Sequence, residues 1–402
     1  MDREFCFKRY GSVAAGVLTM ITLLLSGTPS GYSKEVRGVT DDTIKIGVIG
    51  DQTGPVVAIL RPWTEGIRTY YRYINDQGGI NGRKIKVTVE DDRYNIPLAV
   101  AAFKKLIYKD KVLAINGPSG TGMIHANLSL IEKAHVPVIS LSLSTTMIKP
   151  LKRYVFIIGA TYEDGMKIII NYIINNLKVK NPRVAFVTAD NEYGKNGRKA
   201  AKERLKHYKL ELVDEEILNF GDLDATSQVL RLKRARPDYV ILHENVGGAV
   251  ALMRDAKKYK LHPTYFGGYA ATQEDTIRLG KEASKNFIGT HYFNSWYENT
   301  PGMARLREIS EGYFPGVKMK AKHYIEGWVG ATVFVEAMKR AGKDLNYGSM
   351  VKEIEGIKDF DTKGLGAKIS YGPNDHKASD QIRFFKTDIE KNIFVPITGW
   401  VK

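Results

Sequence analysis

Two hydroxyl-rich loops carry the chemistry this chain can offer. Gly117-Pro-Ser-Gly-Thr-Gly122 follows the apolar run 112–116, and Leu141-Ser-Leu-Ser-Thr-Thr146 follows the apolar run 136–140. Each run reads as a short strand. Between them Met123, Ile124, Leu128, Leu130 and Ile131 recur at helical spacing up to about Ala134 and His135. Both loops therefore sit at the carboxyl end of a strand, where open α/β sheets bind ligands. Free amides at a helix N-terminus, with hydroxyls beside them, suit a carboxylate or another small anion. Ser and Thr also serve at such places as ordinary caps. Two such loops on neighbouring strands point to a binding cleft.

The first strand–loop, Gly47-Val-Ile-Gly50, lacks the glycine spacing of a dinucleotide fingerprint. There is no phosphate loop ending in Gly-Lys-Ser/Thr and no Gly-x-Ser-x-Gly elbow. The eight histidines are scattered, without a His-x-x-x-His pair. Asp91-Asp92 and Glu215-Glu216 are adjacent, so in a strand they point to opposite faces and do not pair as catalytic carboxylates. The only cysteine, Cys6, lies near the N-terminus, which excludes disulfides, thiol nucleophiles and cysteine–metal sites from the rest of the chain. No catalytic set and no metal set emerges, and no cofactor is called for.

The elements that position the loops alternate regularly. A strand over 43–49 runs into Gly50-Asp-Gln-Thr-Gly-Pro55, and a helix is expected over 62–76, stopped by Gly78-Gly79. Asn81-Gly82 is a tight turn before an alternating strand over 84–90. A helix over 97–108 leads to the two loops. From residue 154 the alternation repeats: helix 163–177, strand 183–188, helix 194–207, strand 210–217, helix 226–235, strand 239–242, helix 247–259, strand 264–267. Helices over 301–313 and 323–340 follow, and two short strands near 366–371 and 381–385 close the chain. This is an α/β protein with two parallel sheets.

With 402 residues, 43% hydrophobic and 26% charged, the chain is long enough for two domains and has a globular composition. Its formal charge is +16. The basic residues are interleaved with acids, as in Lys195-Asn-Gly-Arg-Lys-Ala-Ala-Lys-Glu-Arg204, which describes solvated helix faces rather than a nucleic-acid stripe. Arg3, Lys8 and Arg9 precede the apolar run 13–25, and small and turn residues follow. That is the layout of a secretory signal peptide over residues 1–33. Cys6 lies before the apolar run, the wrong side for a lipoprotein acceptor. A soluble, exported, periplasmic protein is expected, with retention on an uncleaved anchor as the alternative.

The order of motifs resembles the solute-binding proteins of ABC importers for branched-chain amino acids, the type I periplasmic-binding fold. The residues that carry it are Ile44-Lys-Ile-Gly47 with Thr53-Gly-Pro55; Ile74-Asn-Asp-Gln-Gly-Gly-Ile-Asn-Gly82; Glu90-Asp-Asp92; Gly117-Pro-Ser-Gly120; Val136-Pro-Val-Ile-Ser140; Glu192-Tyr-Gly194; Arg231-Leu-Lys233 with Arg236-Pro-Asp238; and Tyr371-Gly-Pro-Asn-Asp-His376. The resemblance implies two Rossmann-like, flavodoxin-like lobes with parallel central sheets joined by a three-strand hinge. Lobe one would hold residues 42–159 and 291–373, lobe two 160–290 and 374–402. A solute between them would drive hinge closure, read by the membrane permease. A monomer without nucleic-acid partners is implied.

The resemblance also implies site residues. Ser119, Gly120 and Thr121 match the loop that holds a ligand carboxylate, and Ser142 and Ser144 the second loop. Tyr193 matches a tyrosine that reaches the ligand on closure. Two departures stand out. Tyr269 occupies the position where amino-acid binders place an acidic residue against the ammonium, and Ile59 stands where they carry an aromatic, with Trp63 one turn later. Glu244, Asn245 or Glu274 are the candidates to replace the missing acid. An ammonium buried without a carboxylate is costly, so these departures place an acid with an apolar or aromatic body ahead of a branched-chain amino acid. A ligand sensor of the same fold is the alternative function. An enzyme using Asp91, Asp92 or His243 is a further one, for which the chain lacks a nucleophile or metal set.

Overall fold

A computed structural model describes residues 36–118 and 120–402. The leader expected at 1–33 lies outside the described residues. β1 (Thr43–Ile49) is the centre of the first sheet, and from Val48's neighbours on both sides it takes parallel partners. Its last four residues are all buried, as a strand covered on both faces requires. α1 (Val57–Asp76), β2 (Lys84–Glu90), α2 (Ile96–Lys104), β3 (Ala114–Asn116), α3 (Thr121–Ala134), β4 (Val138–Ser140) and β5 (Val155–Ile157) follow. The sheet order is β2-β1-β3-β4-β5, parallel throughout.

The second sheet comes from α4 (Tyr162–Asn171), β6 (Val184–Thr188), α5 (Glu192–His207), β7 (Leu212–Ile217), α6 (Thr226–Ala235), β8 (Tyr239–His243), α7 (Val246–Lys258), β9 (Thr264–Gly267), α8 (Glu274–Gly280) and β10 (Phe287–His291). The chain then forms α9 (Pro301–Tyr313), α10 (Lys322–Ala341) and α11 (Tyr347–Glu355), and returns as β11 (Arg383–Asp388) and β12 (Ile393–Pro396). The order is β12-β11-β10-β9-β8-β6-β7, with the last two additions antiparallel. α10 packs on α1, so the chain passes three times between the two halves.

That packing has a local cause. A Cβ on Gly66 of α1 would lie 2.0 Å from the Tyr324 carbonyl oxygen, and one on Gly327 of α10 would lie 2.0 Å from the Trp63 carbonyl oxygen. The two backbones touch at reciprocal glycines, which no larger residue permits.

Several boundaries differ from expectation. α1 starts five residues before Pro62, which sits inside the helix. The Asp51 carboxylate accepts the amides of Thr53 at 3.1 Å and Val56 at 2.8 Å, and also that of Gly54, so the turn into the helix is set early. Residues 366–371 make isolated bridges rather than a strand. α11 was not anticipated; Asn346 and Ser349 cap it reciprocally. β12 pairs with β11 as an edge hairpin that the short run 393–396 barely announces. Gly78 and Gly79 stop α1 at φ 99° and 83°, as expected of left-handed positions.

Candidate functional site

The carboxyl ends of β1, β3 and β4 in one half face those of β6, β8 and β9 in the other. Gly120 is the N-cap of α3 and, having no side chain, does not itself cap that helix. Its first-turn amides are thus available to an anion. Thr121, 1% exposed, shares a 2.8 Å hydrogen bond with Ser142 Oγ. The Ser142 amide donates to Ser140 Oγ at 3.0 Å, and Tyr162 Oη donates to Ser142 Oγ at 3.5 Å. Gly120 has a steric reason: a Cβ there would stand 2.5 Å from the Tyr94 ring.

Three cavities lie along this cleft. The outer one, about 460 Å³, is walled by Tyr94, Ile96, Met123, Asn191, Glu192 and Tyr193, among others. The inner one, about 20 Å³, is lined by Ile59, Leu60, Gly120, Thr121, Leu141 and Phe220, with Tyr94, Tyr162, Tyr193 and Tyr269. The deep one, about 30 Å³, is lined by Leu143, Met166, His243, Thr290, His291 and Tyr292, again with Tyr162 and Tyr269. Tyr94 and Tyr193 are thus common to the outer and inner walls, and Tyr162 and Tyr269 to the inner and deep walls. Tyr162 meets Tyr193 edge-on at 4.9 Å and lies nearly parallel to Tyr269 at 5.9 Å. Tyr193 stacks on His243 at 3.8 Å. Burial pushes the phenols of Tyr162, Tyr193 and Tyr269 upward, so they stay neutral, and pushes His243 down to about 3.

The expected site residues fall into three groups. Gly120, Thr121, Ile59, Tyr193 and Tyr269 line the inner cavity, and Ser142 backs Thr121. Ser144 lines none of the three cavities; it is buried, its Oγ accepts from Asn196 Nδ2 at 2.7 Å and pairs with Thr146 Oγ1 at 2.8 Å. Trp63, Asn245 and Glu244 line none of the three cavities. Trp63 is buried at 1% exposure beside the α1–α10 crossing. Asn245 caps α7 by accepting the Gly248 amide at 2.9 Å. Glu244 is fully buried, with both carboxyl oxygens lacking a hydrogen-bond partner within normal geometry among the described residues, and burial raises its pKa well above the usual carboxylate value. Ser119 lies outside the described residues.

The other acids named from sequence have structural partners. Glu274 is paired with the buried Lys322 at 3.2 Å. Asp91 accepts from the Gln52 amide at 2.9 Å and from Thr53 Oγ1 at 2.7 Å, which ties two loops together. Reasoning from sequence missed Tyr94, Tyr162, Phe220 and His291. Tyr162 carried a signal: it opens a helix behind the reciprocal cap of Thr161 and Asp164, which puts the first-turn side chain at the strand-end level.

One cluster has the residue types of a metal site. Ligand atoms of His291, His323 and Glu326, all buried, lie within 4.8 Å of one another. Their hydrogen bonds argue against that role. Glu326 is occupied by His323 Nδ1 at 2.6 Å and by the Tyr292 hydroxyl. His291 Nδ1 accepts the Phe293 amide at 3.0 Å, so the neutral ring carries its proton on Nε2, where a ligand lone pair would be needed.

Comparison with known proteins agrees with this architecture. A family model described as periplasmic binding protein matches residues 43–392. The Leu/Ile/Val-binding protein homolog 7 of Brucella suis is 24% identical over 354 residues, covering 84% of this chain and 87% of that protein. The Leu/Ile/Val-binding protein of Escherichia coli is 24% identical over 265 residues, 65% of this chain and 70% of its own. Among solved structures, a branched-chain amino acid ABC transporter protein from Thermus thermophilus with bound valine superimposes with a TM-score of 0.83 at 23% identity, covering 90% of this chain and 97% of that one. A fatty acid ABC transporter substrate-binding protein from Thermomonospora curvata reaches the same TM-score and identity, covering 92% and 94%. At such identities the superpositions speak for the fold, the two-sheet α/β architecture of type I periplasmic binding proteins. With the family match spanning most of its length, the chain belongs to the periplasmic binding protein family, whose members bind solutes and are not enzymes.

Proposed function

We propose that this protein is the solute-binding component of an ABC importer, and that its solute is a small carboxylate with an apolar or aromatic body. The observation that carries the reading is the N-terminus of α3, opened by Gly120, beside the Thr121–Ser142 hydroxyl pair, set in an otherwise apolar and aromatic wall. Amides and hydroxyls take the carboxylate; Ile59, Leu60, Leu141 and Phe220 surround the body. Among the described residues, no acidic side chain lines the inner or the deep cavity. Glu244 lines neither cavity, and burial raises its pKa well above the usual carboxylate value. The names of the relatives favour leucine, isoleucine or valine as the competing ligand.

In this reading the lobes are 42–159 with 291–373 and 160–290 with 374–402. Residues 1–33 direct export, and the mature monomer works in the periplasm. The solute stabilises the closed arrangement by its differential contacts with both halves, and the permease receives that form. Titration calorimetry of the purified protein against 3-phenylpropanoate, hexanoate and leucine tests it. The two acids are expected to bind, and Thr121→Ala with Ser142→Ala to weaken them by about tenfold or more, as loss of hydrogen bonds to a charged group does. Tight leucine binding with no response to either acid would overturn the ligand class.

A further inference from the structure

The deep cavity contains two imidazoles whose proton positions are fixed by their other contacts. His243 Nε2 lies 3.2 Å from the Tyr193 carbonyl oxygen. A carbonyl only accepts, so Nε2 carries the proton and Nδ1 presents a lone pair. Nδ1 has no hydrogen-bond partner among the described residues. His291 is the mirror case. Its Nδ1 accepts the Phe293 amide at 3.0 Å, so Nε2 carries the proton, and Nε2 likewise has no partner among the described residues. Both rings are buried, at 1% and 0% exposure, and both line the same cavity of about 30 Å³. The neighbouring Thr290 hydroxyl is spent on the Gly267 carbonyl at 2.9 Å. The two histidines that line this space, the size of a single polar group, thus hold one unmet acceptor and one unmet donor between them.

We propose that this cavity is a second recognition point of the same site, reading a hydroxyl at the far end of the solute. A hydroxyl is the simple group that donates to His243 Nδ1 and accepts from His291 Nε2–H together. A carboxylate would face the bare His243 nitrogen, and an ammonium would face the His291 N–H. An ether or ketone would meet the donor alone. Burial keeps both rings neutral, His243 with its pKa near 3 and His291 well below its usual value. Tyr162 and Tyr269 wall both the inner and the deep space, so they stand between the two ends of such a solute. The inference rests on the carboxylate reading given above, and extends it to the opposite end of the ligand.

The test is calorimetry on matched probes with the full mature protein. The probes are 3-(4-hydroxyphenyl)propanoate, its 4-methoxy ether and 3-phenylpropanoate, with 6-hydroxyhexanoate and hexanoate as an open-chain pair. In the unaltered protein at least one hydroxylated acid is expected to bind about tenfold or more tightly than its unsubstituted partner and than the ether, since a site built for a hydroxyl rejects analogues that leave its polar groups unpaired. In His243→Phe and in His291→Phe that preference, taken as a ratio of affinities within each variant, should fall to less than about threefold; a uniform loss of affinity leaves the ratio unchanged. Equal affinity within both pairs in the unaltered protein would overturn the proposal and leave the carboxylate site standing; this comparison needs no variant to fold. A preference that survives both substitutions would overturn it too, because the hydroxyl would then be read elsewhere. If no acid binds and leucine does, the carboxylate reading itself falls and this proposal with it.

Discussion

Asn196 reaches across the cleft to Ser144: its Nδ2 donates to Ser144 Oγ at 2.7 Å. Asn196 belongs to α5 on the second sheet, and Ser144 follows β4 of the first. Ser144 is tied in turn to Thr146 and, through it, to His125 Nε2, each step 2.8 Å. If the halves separate to admit solute, this bond is among those lost. Asn196→Ala should therefore disfavour closure by about 1 kcal/mol, the net value of an ordinary hydrogen bond. The expected readout is a several-fold weaker solute affinity together with a larger radius of gyration in small-angle scattering. Unchanged affinity and unchanged scattering would remove this contact from the account of closure.

A second cross-half contact is an ion pair fully withdrawn from water. Lys322 Nζ, at the start of α10, lies 3.2 Å from Glu274 Oε1 of α8 and also meets the Ser295 hydroxyl. The side chains are 0% and 3% exposed, and the ammonium sits over the rings of Phe385 at 4.8 Å and Phe394 at 5.1 Å. Burial lowers the Lys322 pKa, and the Glu274 charge opposes that shift. Glu274→Leu alone strands a buried cation and should cost about 3–5 kcal/mol. Adding Lys322→Met should recover most of the loss, because two apolar side chains need no counter-charge. Denaturant unfolding of the three proteins decides it; a single variant as stable as the parent would show that the pair is not coupled.

Glu244 gives a pH-dependent expectation. Burial raises its folded-state pKa well above 4.5, so the folded protein keeps a proton that the unfolded chain releases. A raised pKa adds stability that is complete below the unfolded value and is lost as pH rises from about 4.5 toward the folded one, at up to about 1.4 kcal/mol per pH unit. Glu244→Gln keeps the shape without the ionisation. Its stability relative to the parent should therefore climb between pH 4 and pH 8, by at least about 1 kcal/mol. Thermal unfolding of both proteins over that range measures the difference. His243, whose lowered pKa removes stability as pH falls below about 6.5, acts on both proteins alike and cancels in the comparison. A difference that stays flat with pH would place the Glu244 carboxylate in a solvated setting.

Along the chain, much of the architecture was open to reading because it is local. The alternation in Thr43–Ile49 and Lys84–Glu90 marks strands, and Gly78, Gly79, Asn81 and Gly82 adopt the positive φ that their types favour. The hydroxyl loops around Thr121 and Ser142 announce themselves by composition, and both come to one place because β3 and β4 are adjacent and parallel. Among the described residues no helix is long and apolar enough to cross a membrane, in keeping with the polar interruptions in each helical run.

What local signals did not contain is the company each side chain keeps. Asn245 and Glu244 are neighbours in sequence, yet one is spent on the Gly248 amide and the other is sealed from water. Trp63 stands one turn from Ile59, but the Gly66–Tyr324 contact pulls α10 against that turn and covers it. Tyr94, Tyr162, Tyr193 and Tyr269 come from four separate segments, and His243 and His291 from the ends of two strands. Period and turn chemistry fix which way a residue faces within its own element. Which rings then meet, and which imidazole nitrogen keeps its proton, depends on how the three crossings bring the two sheets' carboxyl ends together, and that is a property of the folded packing alone.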